Sequence, residues 1–496
     1  MKRVLIYGAG DAGERLVHEL RENQTFGYQP VGFVDDDRHK TCQRIHGVKV
    51  LGTRDDLPAI MRTTMPDTVI IAMPSVRAGA IRDIAKLLLN YKASIKILPD
   101  LSLLLDGKSE VNQLRNLSVE DLLHRPRVAL DRSLIADLLR NKRVLVTGAG
   151  GSIGSELCRQ IISYEPASLI LYERYENGLF AIHGELSHRV SDGRIYPVIG
   201  DVTDKARLQS TMEVYEPQIV FHAAAHKHVP LMEYNPCEAV KNNVMGTRIV
   251  ATLAEQMGVE RFIMISTDKA VRPSSVMGAT KRVAELIIQD MARTGRTTFS
   301  TVRFGNVLGS NGSVVPHFLQ QIKSGGPVTV THPDVQRYFM LIPEAVELVL
   351  QAASLADQGS IYVLEMGRQV RLQDLARHLI RLSGFVPDEE IPIRFTGLRP
   401  GEKLAEELVG PDETVMPSPL KEILRVCPND VPAHDWLALA ISQLERMAQL
   451  QKAHEVLTGI SVLVPSFLAS SRDSILAVER EWSRIDAGNG VVNQRT

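Results

Sequence analysis

A carboxyl group and an amine are adjacent at the end of a strand-like segment. In ISTDKAVRPSSVMGATK, residues 265–281, Asp268 is followed directly by Lys269. An acid and a base held together can move protons on a reacting molecule when their surroundings push their pKa values apart. Lys281 stands four residues after Met277, so both side chains would share one face of a helix. Taken alone, Asp268 and Lys269 could also form an ordinary surface ion pair.

A glycine-rich loop is the second candidate site. Gly148, Gly151 and Gly154 lie between the strand-like segment KRVLVT and a helical pattern. Glycine lets the backbone turn tightly and approach a pyrophosphate, and the following helix N-terminus offers free N–H groups. This context predicts a dinucleotide site rather than a simple turn.

The acid that follows this loop bears on the choice of cofactor. Glu173 ends the next strand-like segment, where a dinucleotide fold places an acid against the ribose hydroxyls. A carboxylate there repels a 2′-phosphate, which favours NAD over NADP. Arg174 beside it could receive such a phosphate and argues the other way. Asp201 and Val202, after a further strand-like segment, are placed to meet the adenine.

The beginning of the chain repeats this pattern. Gly8, Gly10 and Gly13 have the same kind of spacing, and Asp35 lies where a ribose acid would lie. Nothing downstream in this first unit looks like a catalytic set. Three interpretations stay open, namely a second nucleotide site, a regulatory ligand site, or a scaffold without a ligand.

The order of the elements indicates an α/β fold. Strand-like and helical segments alternate through both units, which is typical of doubly wound parallel sheets with right-handed crossovers. We expect two Rossmann-like domains, the second with a smaller mixed substrate-binding subdomain. The expected bounds are a Rossmann-like domain at 1–125, a connector at 126–140, an NAD-binding catalytic domain at 141–305, a substrate-binding and helical region interleaved with it at 306–488, and a disordered tail at 489–496.

Length and composition are those of a globular protein with more than one domain. The chain has 496 residues and a formal net charge of -1, so it has no overall attraction to nucleic acid or membranes. No basic stripe or aromatic platform indicates nucleic-acid binding. The N-terminal apolar run is too short for a signal peptide, and no apolar run of about 18 residues occurs, so we expect no membrane span in this chain.

Neither disulfide nor metal chemistry is expected. The cysteines are far apart, so a reducing cytoplasm fits better than a disulfide framework or a zinc ribbon. They are Cys42, Cys158, Cys237 and Cys427. His222, His226 and His228 are close in sequence, but no cysteine or carboxylate completes a ligand set that we recognise.

Seven segments together carry a family resemblance. They are TGAGGSIGSE, FHAAAHKHVPLME, NNVMGT, STDKAV-x-P, MGATKR, RFGNVLGS and LRPGEKLAEEL, in this order between residues 144 and 408. The chain resembles the large nucleotide-sugar 4,6-dehydratases of capsule and O-antigen biosynthesis, in the extended short-chain dehydrogenase/reductase superfamily. Larger members typically carry transmembrane helices before the first Rossmann-like unit. We therefore expect a shortened chain or a soluble member, cytoplasmic or at the inner face of the membrane.

The resemblance implies 4,6-dehydration of UDP-N-acetylglucosamine with tightly bound NAD. Hydride would leave the sugar C4, a base would remove the C5 proton, an acid would protonate the departing C6 hydroxyl, and hydride would return to C6. The resemblance makes Asp268 the general acid and Lys269 the base. Thr267 would bond the C4 hydroxyl, and Lys281 would hold the nicotinamide ribose. For Lys269 to be partly neutral, burial or a nearby cation such as Lys281 would have to lower its pKa.

Met277 stands where smaller relatives have a catalytic tyrosine. The larger members also have methionine there, so Met277 fits the family. A thioether cannot act as a base, which leaves a water beside Met277, Thr267 or Asp268 as candidates for accepting the C4 hydroxyl proton. Resemblance to the methionine-containing members implies that the product keeps its C5 configuration.

The resemblance also assigns binding residues. For NAD they are Thr147, Gly148, Gly151, Ser152, Ile153, Gly154, Glu173, Asp201, Val202, Ala223, Ala224 and Lys281. For the substrate they are Lys227, Asn306, Arg337, Arg399 and Glu402. Arginine suits a diphosphate because its planar fork donates two hydrogen bonds, although Arg337 and Arg399 could each be ordinary surface residues.

Two other functions compete with this interpretation. A nucleotide-sugar 4-epimerase needs no base at C5, which would leave Asp268 and Lys269 unexplained. A non-catalytic nucleotide-binding scaffold is disfavoured by the intact set of Thr267, Asp268, Lys269 and Lys281. We expect a UDP-N-acetylhexosamine as substrate, no nucleic-acid partner, and a homo-oligomer.

Overall fold

The structure is a computed structural model that describes residues 1–74, 76, 78–98, 114–118, 121, 131–190, 193–355, 357–429 and 431–467. The expected tail at 489–496 and residues 126–130 of the expected connector lie outside the described residues. Two compact units are present. One contains the described parts of Met1–Arg127, Val314–Pro333 and Arg371–Thr396, and the other those of Val128–Ser313, Asp334–Val370 and Gly397–Thr496. The expected domain bounds, which assign 306–488 to one region, stay a prediction.

The first unit begins with a seven-stranded sheet. Its elements up to residue 127 are β1 (Lys2–Tyr7), α1 (Asp11–Glu22), β2 (Tyr28–Val34), β3 (Arg44–Ile45), β4 (Val48–Gly52), α2 (Leu57–Thr64), β5 (Thr68–Ile71), α3 (Ala78–Leu88), β6 (Ser94–Ile97) and β7 (Arg115–Asn116). The strand order is β3-β4-β2-β1-β5-β6-β7, and β4, β2, β1, β5 and β6 are parallel. The order reverses at β1, where such sheets open a crevice.

The second unit contains the catalytic candidates. Its elements up to residue 313 are α4 (Arg132–Leu139), β8 (Arg143–Thr147), α5 (Ser152–Ile162), β9 (Ser168–Glu173), α6 (Glu176–Ser187), β10 (Ile195–Ile199), α7 (Lys205–Tyr215), β11 (Ile219–His222), α8 (Val229–Tyr234), α9 (Pro236–Ala239), α10 (Gly246–Gln256), β12 (Arg261–Thr267), α11 (Val276–Thr294), β13 (Thr298–Phe304) and β14 (Asn306–Leu308). A π-helical segment, Val240–Met245, joins α9 to α10.

The remaining elements belong partly to each unit. They are α12 (Val314–Lys323), β15 (Val328–Val330), β16 (Gln336–Arg337), β17 (Phe339–Leu341), α13 (Ile342–Ser354), β18 (Ile361–Leu364), β19 (Val370–Arg371), α14 (Leu372–Leu382), β20 (Ile393–Phe395), β21 (Glu413–Met416), β22 (Ile423–Pro428), α15 (His434–Gln449) and α16 (Ala453–Leu463). In the first unit, β15 pairs with β20 in parallel. None of the helices described in the structure is long and apolar enough to cross a membrane.

The sheet of the second unit has nine strands in the order β10-β9-β8-β11-β12-β13-β18-β22-β21. The strands from β10 to β18 are parallel, and β22 and β21 add an antiparallel edge. The order reverses between β8 and β11, so the carboxyl ends of these strands flank a crevice. The predicted fold class, α/β with doubly wound parallel sheets, is confirmed.

Helix α11 is buried along almost its whole length. It packs against the sheet on one side, and α15 and α16 cover another side. Val276 and Val283 share an apolar cluster with Leu437 of α15 and Leu457 of α16. This burial takes the polar residues of α11 out of water and fixes their positions for the site described below.

Candidate active site

The glycine loop after β8 requires glycine for steric reasons. Gly148 has a φ of +69°, and a Cβ there would lie 2.7 Å from the backbone nitrogen of Ala224. A Cβ on Gly154 would lie 2.0 Å from the carbonyl oxygen of Gly148. Any larger residue would force the loop away from β11 or away from α5. The loop therefore brings the N-terminus of α5 to the crevice at the switch point.

Glu173 is fixed at the rim of this loop. Its carboxylate accepts hydrogen bonds from the backbone N–H groups of Gly150 at 3.0 Å and Tyr175 at 2.9 Å. Arg174 points to a different partner, since its guanidinium lies 3.3 Å from a carboxylate oxygen of Asp201. These contacts hold the carboxylate of Glu173 beside the predicted position of a ribose. The guanidinium of Arg174 is paired with the carboxylate of Asp201.

Two adjoining cavities form one cleft along the carboxyl ends of the strands. One cavity of about 870 Å³ borders the glycine loop and Glu173, and a second of about 480 Å³ borders Lys269 and Lys281. They share Gly151, Ser152 and Ala223 in their walls. Ten of the twelve residues predicted to bind NAD line the cleft: Gly148, Gly151, Ser152, Ile153, Gly154, Glu173, Val202, Ala223, Ala224 and Lys281.

The other two predicted NAD residues have structural partners. Thr147 is buried, and its hydroxyl lies 2.8 Å from Nδ1 of His222, whose Nε2 lies 3.0 Å from the hydroxyl of Thr247. Burial, helped by the positive charge of Lys281, lowers the pKa of His222 to about 3, so the imidazole is neutral. Asp201 accepts hydrogen bonds from the backbone and hydroxyl of Thr203. Within the described residues, no group of histidines, cysteines and carboxylates is arranged to hold a metal ion.

Asp268 and Lys269 form an ion pair where β12 ends. The side chain of Asp268 is fully buried, and its Oδ1 lies 3.1 Å from Nζ of Lys269. The same Oδ1 accepts a hydrogen bond from the hydroxyl of Thr267 at 2.9 Å. Oδ2 of Asp268 has no hydrogen-bond partner among the described residues. A buried carboxyl oxygen without a partner is costly unless a ligand meets it.

The amino group of Lys269 is surrounded by oxygen atoms. Nζ donates to Oδ1 of Asn306 at 3.0 Å and lies 3.7 Å from Oε1 of Glu406. Burial lowers the pKa of Lys269, but the carboxylates of Asp268 and Glu406 outweigh burial and raise it above that of an ordinary lysine. The expected partial neutrality of Lys269 is therefore not what these charges favour in the free chain, where the ammonium form is stabilised.

Lys281 has the opposite surroundings. It is almost fully buried in α11, and burial lowers its pKa to about 8 despite the opposing charge of Glu285. Met277, one turn earlier on the same helix, lines the same cavity. The prediction that these two side chains share a helical face is confirmed by α11, which runs through both positions.

A glycine lets α11 approach the ion pair. A Cβ on Gly278 would lie 2.2 Å from the carbonyl oxygen of Lys269, so only glycine permits this contact. The hydroxyl of Ser275 accepts a hydrogen bond from the N–H of Gly278 and so caps the helix. These contacts explain the glycine of the MGATK segment, because the start of the helix packs onto the turn that carries Asp268 and Lys269.

Several supporting residues were missed by sequence reasoning. Glu285 accepts hydrogen bonds from the hydroxyl of Ser266 at 2.7 Å and from Arg303, which is fully buried and also bonds Glu413. These contacts tie β12, α11, β13 and β21 together beneath the site. No local signal identifies such a network, because its members are far apart in sequence.

Asn243 was also missed, although its segment was noted. It lies in the π-helical turn, and its amide oxygen accepts a hydrogen bond from the N–H of His226 at 2.8 Å. Its amide nitrogen donates to the hydroxyl of Thr280 at 3.1 Å. The residue thus joins the loop carrying Lys227 to helix α11. Single π turns of this kind are frequent at functional sites.

The predicted substrate residues fall into two groups, one at the cleft and one in which Arg337 and Arg399 both lie close to Glu402. Lys227 and Asn306 line the cleft. Arg337 is buried, lies 3.2 Å from a carboxylate oxygen of Glu402, and is not among the side chains that line this cavity. Arg399 is exposed on the loop before Glu402. The substrate role of each of these residues stays a prediction.

The glycine loop and the Rossmann-type sheet define a fold of the short-chain dehydrogenase/reductase type. Residues 144–428 match the family described as polysaccharide biosynthesis protein, and this chain belongs to that family. Residues 1–99 match a family described as a CoA-binding domain, which does not decide among the three interpretations of the first unit.

Named relatives are consistent with the resemblance drawn from the sequence. The chain is 50% identical over 415 residues to the capsular polysaccharide biosynthesis protein CapD of Staphylococcus aureus, covering 83% of this chain and 69% of that protein. It is 33% identical over 282 residues to the UDP-N-acetylglucosamine 4,6-dehydratase (inverting) of Campylobacter jejuni, covering 56% and 80%. The predicted family is confirmed.

A solved structure shares the fold. The dTDP-glucose 4,6-dehydratase DesIV of Streptomyces venezuelae, a double mutant with NAD and DAU bound, aligns with a TM-score of 0.50 at 22% identity. The alignment covers 54% of this chain and 88% of DesIV.

Proposed function

We propose that the chain is an NAD-dependent 4,6-dehydratase of UDP-N-acetylglucosamine in which Asp268 and Lys269 perform the acid and base steps. The observation that carries this proposal is their ion pair, with 3.1 Å between Oδ1 and Nζ, next to a cleft that continues to the glycine loop. Removal of water from a sugar needs a base at C5 and an acid at C6, close together. The C. jejuni relative, named as an inverting 4,6-dehydratase of UDP-N-acetylglucosamine, supports the choice of substrate but not the retention at C5 proposed below.

The residues around the glycine loop fit NAD. The first residues of α5 and the glycine before them line the cleft, and a helix N-terminus offers free N–H groups to a pyrophosphate. Glu173 is held in place to accept the ribose hydroxyls, and Arg174 is engaged by Asp201, which favours NAD over NADP. Bound NAD would supply the group that takes hydride from C4 and returns it to C6. The NAD-bound DesIV structure supports this choice.

Thr267 connects the C4 hydroxyl to the acid. Its hydroxyl donates to Oδ1 of Asp268 at 2.9 Å, so a proton released from the C4 hydroxyl can pass through Thr267 to Asp268. Met277 lines the cleft but cannot accept a proton. A water beside Met277 is the alternative acceptor. In either case Lys281, which is buried next to the cleft, places a positive charge where the C4 oxygen loses its proton.

The elimination step uses both members of the pair. Lys269 first gives its ammonium proton to solvent in the cleft, and as the amine it then takes the C5 proton. Asp268, protonated from the C4 hydroxyl, gives its proton to the C6 hydroxyl, which leaves as water. The two groups are then an ammonium and a carboxylate, the ion pair found in the structure. When C6 receives hydride, the ammonium returns a proton to C5 from the same face. One base acting on one face gives retention at C5 and restores the amine.

The reaction is tested with purified chain, NAD and UDP-N-acetylglucosamine in deuterated water, followed by proton NMR and mass spectrometry. We expect loss of one water, a new methyl signal, deuterium at C5, and a C5 coupling that corresponds to retention. An isomer of unchanged mass would support a 4-epimerase. NAD binding without conversion of any nucleotide sugar would support a scaffold instead.

A further inference from the structure

Glu406 lies behind the catalytic pair. Its side chain is 4% exposed, and its Oε1 is 3.7 Å from Nζ of Lys269. It is not among the side chains that line the cleft, whereas Lys269 is. The lysine therefore meets the cleft on one side and the carboxylate of Glu406 on another.

The carboxylate of Glu406 is held mainly by charges. Its Oε1 lies 4.0 Å from Nε of Arg337, and its Oε2 lies 3.9 Å from Nζ of Lys403. Among the described residues, Oε2 has no hydrogen-bond partner. A buried carboxylate with so few hydrogen bonds is costly unless nearby cations compensate. Lys269 is the nearest of its three cations.

The charged groups around Lys269 come from several elements. Asp268 precedes it on the same turn, Arg337 lies on β16, and Glu406 lies on the loop after Lys403. The amino group of Lys403 donates to the carbonyl of Val271 and is drawn toward Asp268 as well as Glu406. On the cleft side, Lys227 and Lys281 are the lysines that share the wall with Lys269.

We propose that Glu406 is a positioning residue for Lys269, which holds its amino group against Asp268 and Asn306 and stabilises the ammonium formed when the C5 proton is taken. This inference rests on the proposed dehydratase function. In the step itself, the C5–H electron pair stays on the sugar and the proton goes to the amine. Glu406 keeps its charge and gains no proton.

The coupling is measured without turnover. The full-length chain is treated with acetic anhydride across a pH series, and acetylation of Lys269 is followed by peptide mass spectrometry, since only the amine reacts. In Glu406→Gln the ammonium loses a stabilising carboxylate, so the amine appears at lower pH. A charge at this distance is worth more than about one pH unit at an effective dielectric constant near 20. We expect the midpoint to fall by at least that amount.

Two variants provide the controls. Glu407→Gln changes the neighbouring carboxylate, which pairs with Arg272 on the exposed surface, and should leave the midpoint where it is in the wild type. Glu406→Asp keeps the charge but withdraws it, so its midpoint should lie between those of the wild type and Glu406→Gln. If Glu406→Gln does not fold, the shift in Glu406→Asp decides the question.

Turnover gives a second measurement. In Glu406→Gln we expect the rise of kcat with pH that reports loss of the Lys269 proton to move to lower pH by the same amount as the acetylation midpoint, with little change in KM, because the base is affected and the cleft is not. An acetylation midpoint equal to that of the wild type would overturn the positioning role. A shifted midpoint in a chain that dehydrates no nucleotide sugar would instead contradict the proposed function and leave the coupling of Glu406 to Lys269 standing.

Discussion

Two strands of this chain end in glycine-rich loops, and the acids that follow these loops are held in the same way. In the first unit, the carboxylate of Asp35 accepts hydrogen bonds from the N–H of Ala9 at 2.7 Å and from the N–H of Asp37 at 2.9 Å. In the second unit, the carboxylate of Glu173 accepts the corresponding hydrogen bonds from the N–H of Gly150 at 3.0 Å and from the N–H of Tyr175 at 2.9 Å. Both units therefore have the same arrangement of strand, glycine-rich loop and hydrogen-bonded acid.

The residues next to the two loops differ. In the first unit β1 ends at Tyr7, paired in register with the apolar Ile71 of β5, and Asp35 also contacts Lys40 at 3.2 Å. In the second unit Thr147 at the end of β8 faces His222 of β11. The next strand, β12, then leads directly into Asp268 and Lys269. The comparison teaches that the sheet and loop provide a platform, while residues just past the strand ends decide whether it does chemistry.

The largest expected effect is on the dehydration rate, and it distinguishes Lys269, which contacts Asp268, from Lys40, which contacts Asp35. Lys269→Ala should lower the dehydration rate by about 10²–10⁴-fold, because the base at C5 is lost. Asp268→Asn should cost a similar factor through loss of the acid at C6. Lys40→Ala removes the lysine beside Asp35 and should leave the rate within about twofold of the wild type. Product formation by mass spectrometry checks all three, and full activity in Lys269→Ala would remove the role assigned to it.

A smaller effect compares equivalent glycines. Gly8→Ala and Gly148→Ala both place a Cβ 2.7 Å from a backbone atom at a positive φ, so each should lower the free energy of unfolding by about 1–3 kcal/mol. Only Gly148→Ala should also abolish NAD binding. Thermal unfolding and calorimetric NAD titration measure the two effects. Equal loss of NAD affinity in Gly8→Ala would show that the first loop contributes to the same binding event.

The two ribose acids should differ in a milder way. Glu173→Ala should weaken NAD binding by about tenfold, since two hydrogen bonds to a ribose are lost, and should reduce the preference for NAD over NADP. Asp35→Ala, with the same backbone contacts in the first unit, should leave NAD affinity unchanged. Competition between NAD and NADP for each variant is the measurement. A second NAD equivalent bound by the wild type and lost in Asp35→Ala would instead favour a nucleotide site in the first unit.

The smallest effect concerns pH and the strand-end histidine. The pKa of His222 is about 3 in the folded chain against about 6.5 when unfolded, so the unfolded state binds more protons below pH 6.5. Stability is therefore fully present above pH 6.5 and is lost as pH falls, by at most about 1.4 kcal/mol per unit. His222→Gln should show a smaller drop in Tm between pH 7.5 and pH 5. In the first unit the position that corresponds to His222 is Ile71, whose side chain does not titrate.

Part of the site was predictable because its signals are local. A strand, a glycine loop and a helix start within about ten residues, and the spacing of Met277 and Lys281 is a property of one helix. The adjacency of Asp268 and Lys269 is visible in the sequence, and so is the position of Glu173. The alternation of strands and helices gave the fold class, which the structure confirms.

Other parts depended on contacts between distant segments. Nothing local distinguishes the buried Glu406 from the exposed Glu407, since only packing places one of them 3.7 Å from Lys269. The same dependence on distant residues explains why the structure favours the ammonium form of Lys269, whereas the sequence analysis expected a partly neutral amine. Burial alone would lower its pKa, and it is the carboxylates brought beside it that raise it.

The sequence by itself determined the doubly wound sheets and the glycine loops, because these follow from short-range periodicity and steric need. It also set Asp268 and Lys269 side by side, while their catalytic roles stay a prediction. Only the tertiary structure decided which distant residues, such as Glu285 and Arg303, meet beneath that pair. It also decided that Thr147 contacts His222, that Asp201 contacts Arg174, and which charges surround Lys269. Electrostatic interactions depend on distance in space and on burial, and neither is recorded in the order of residues along the chain.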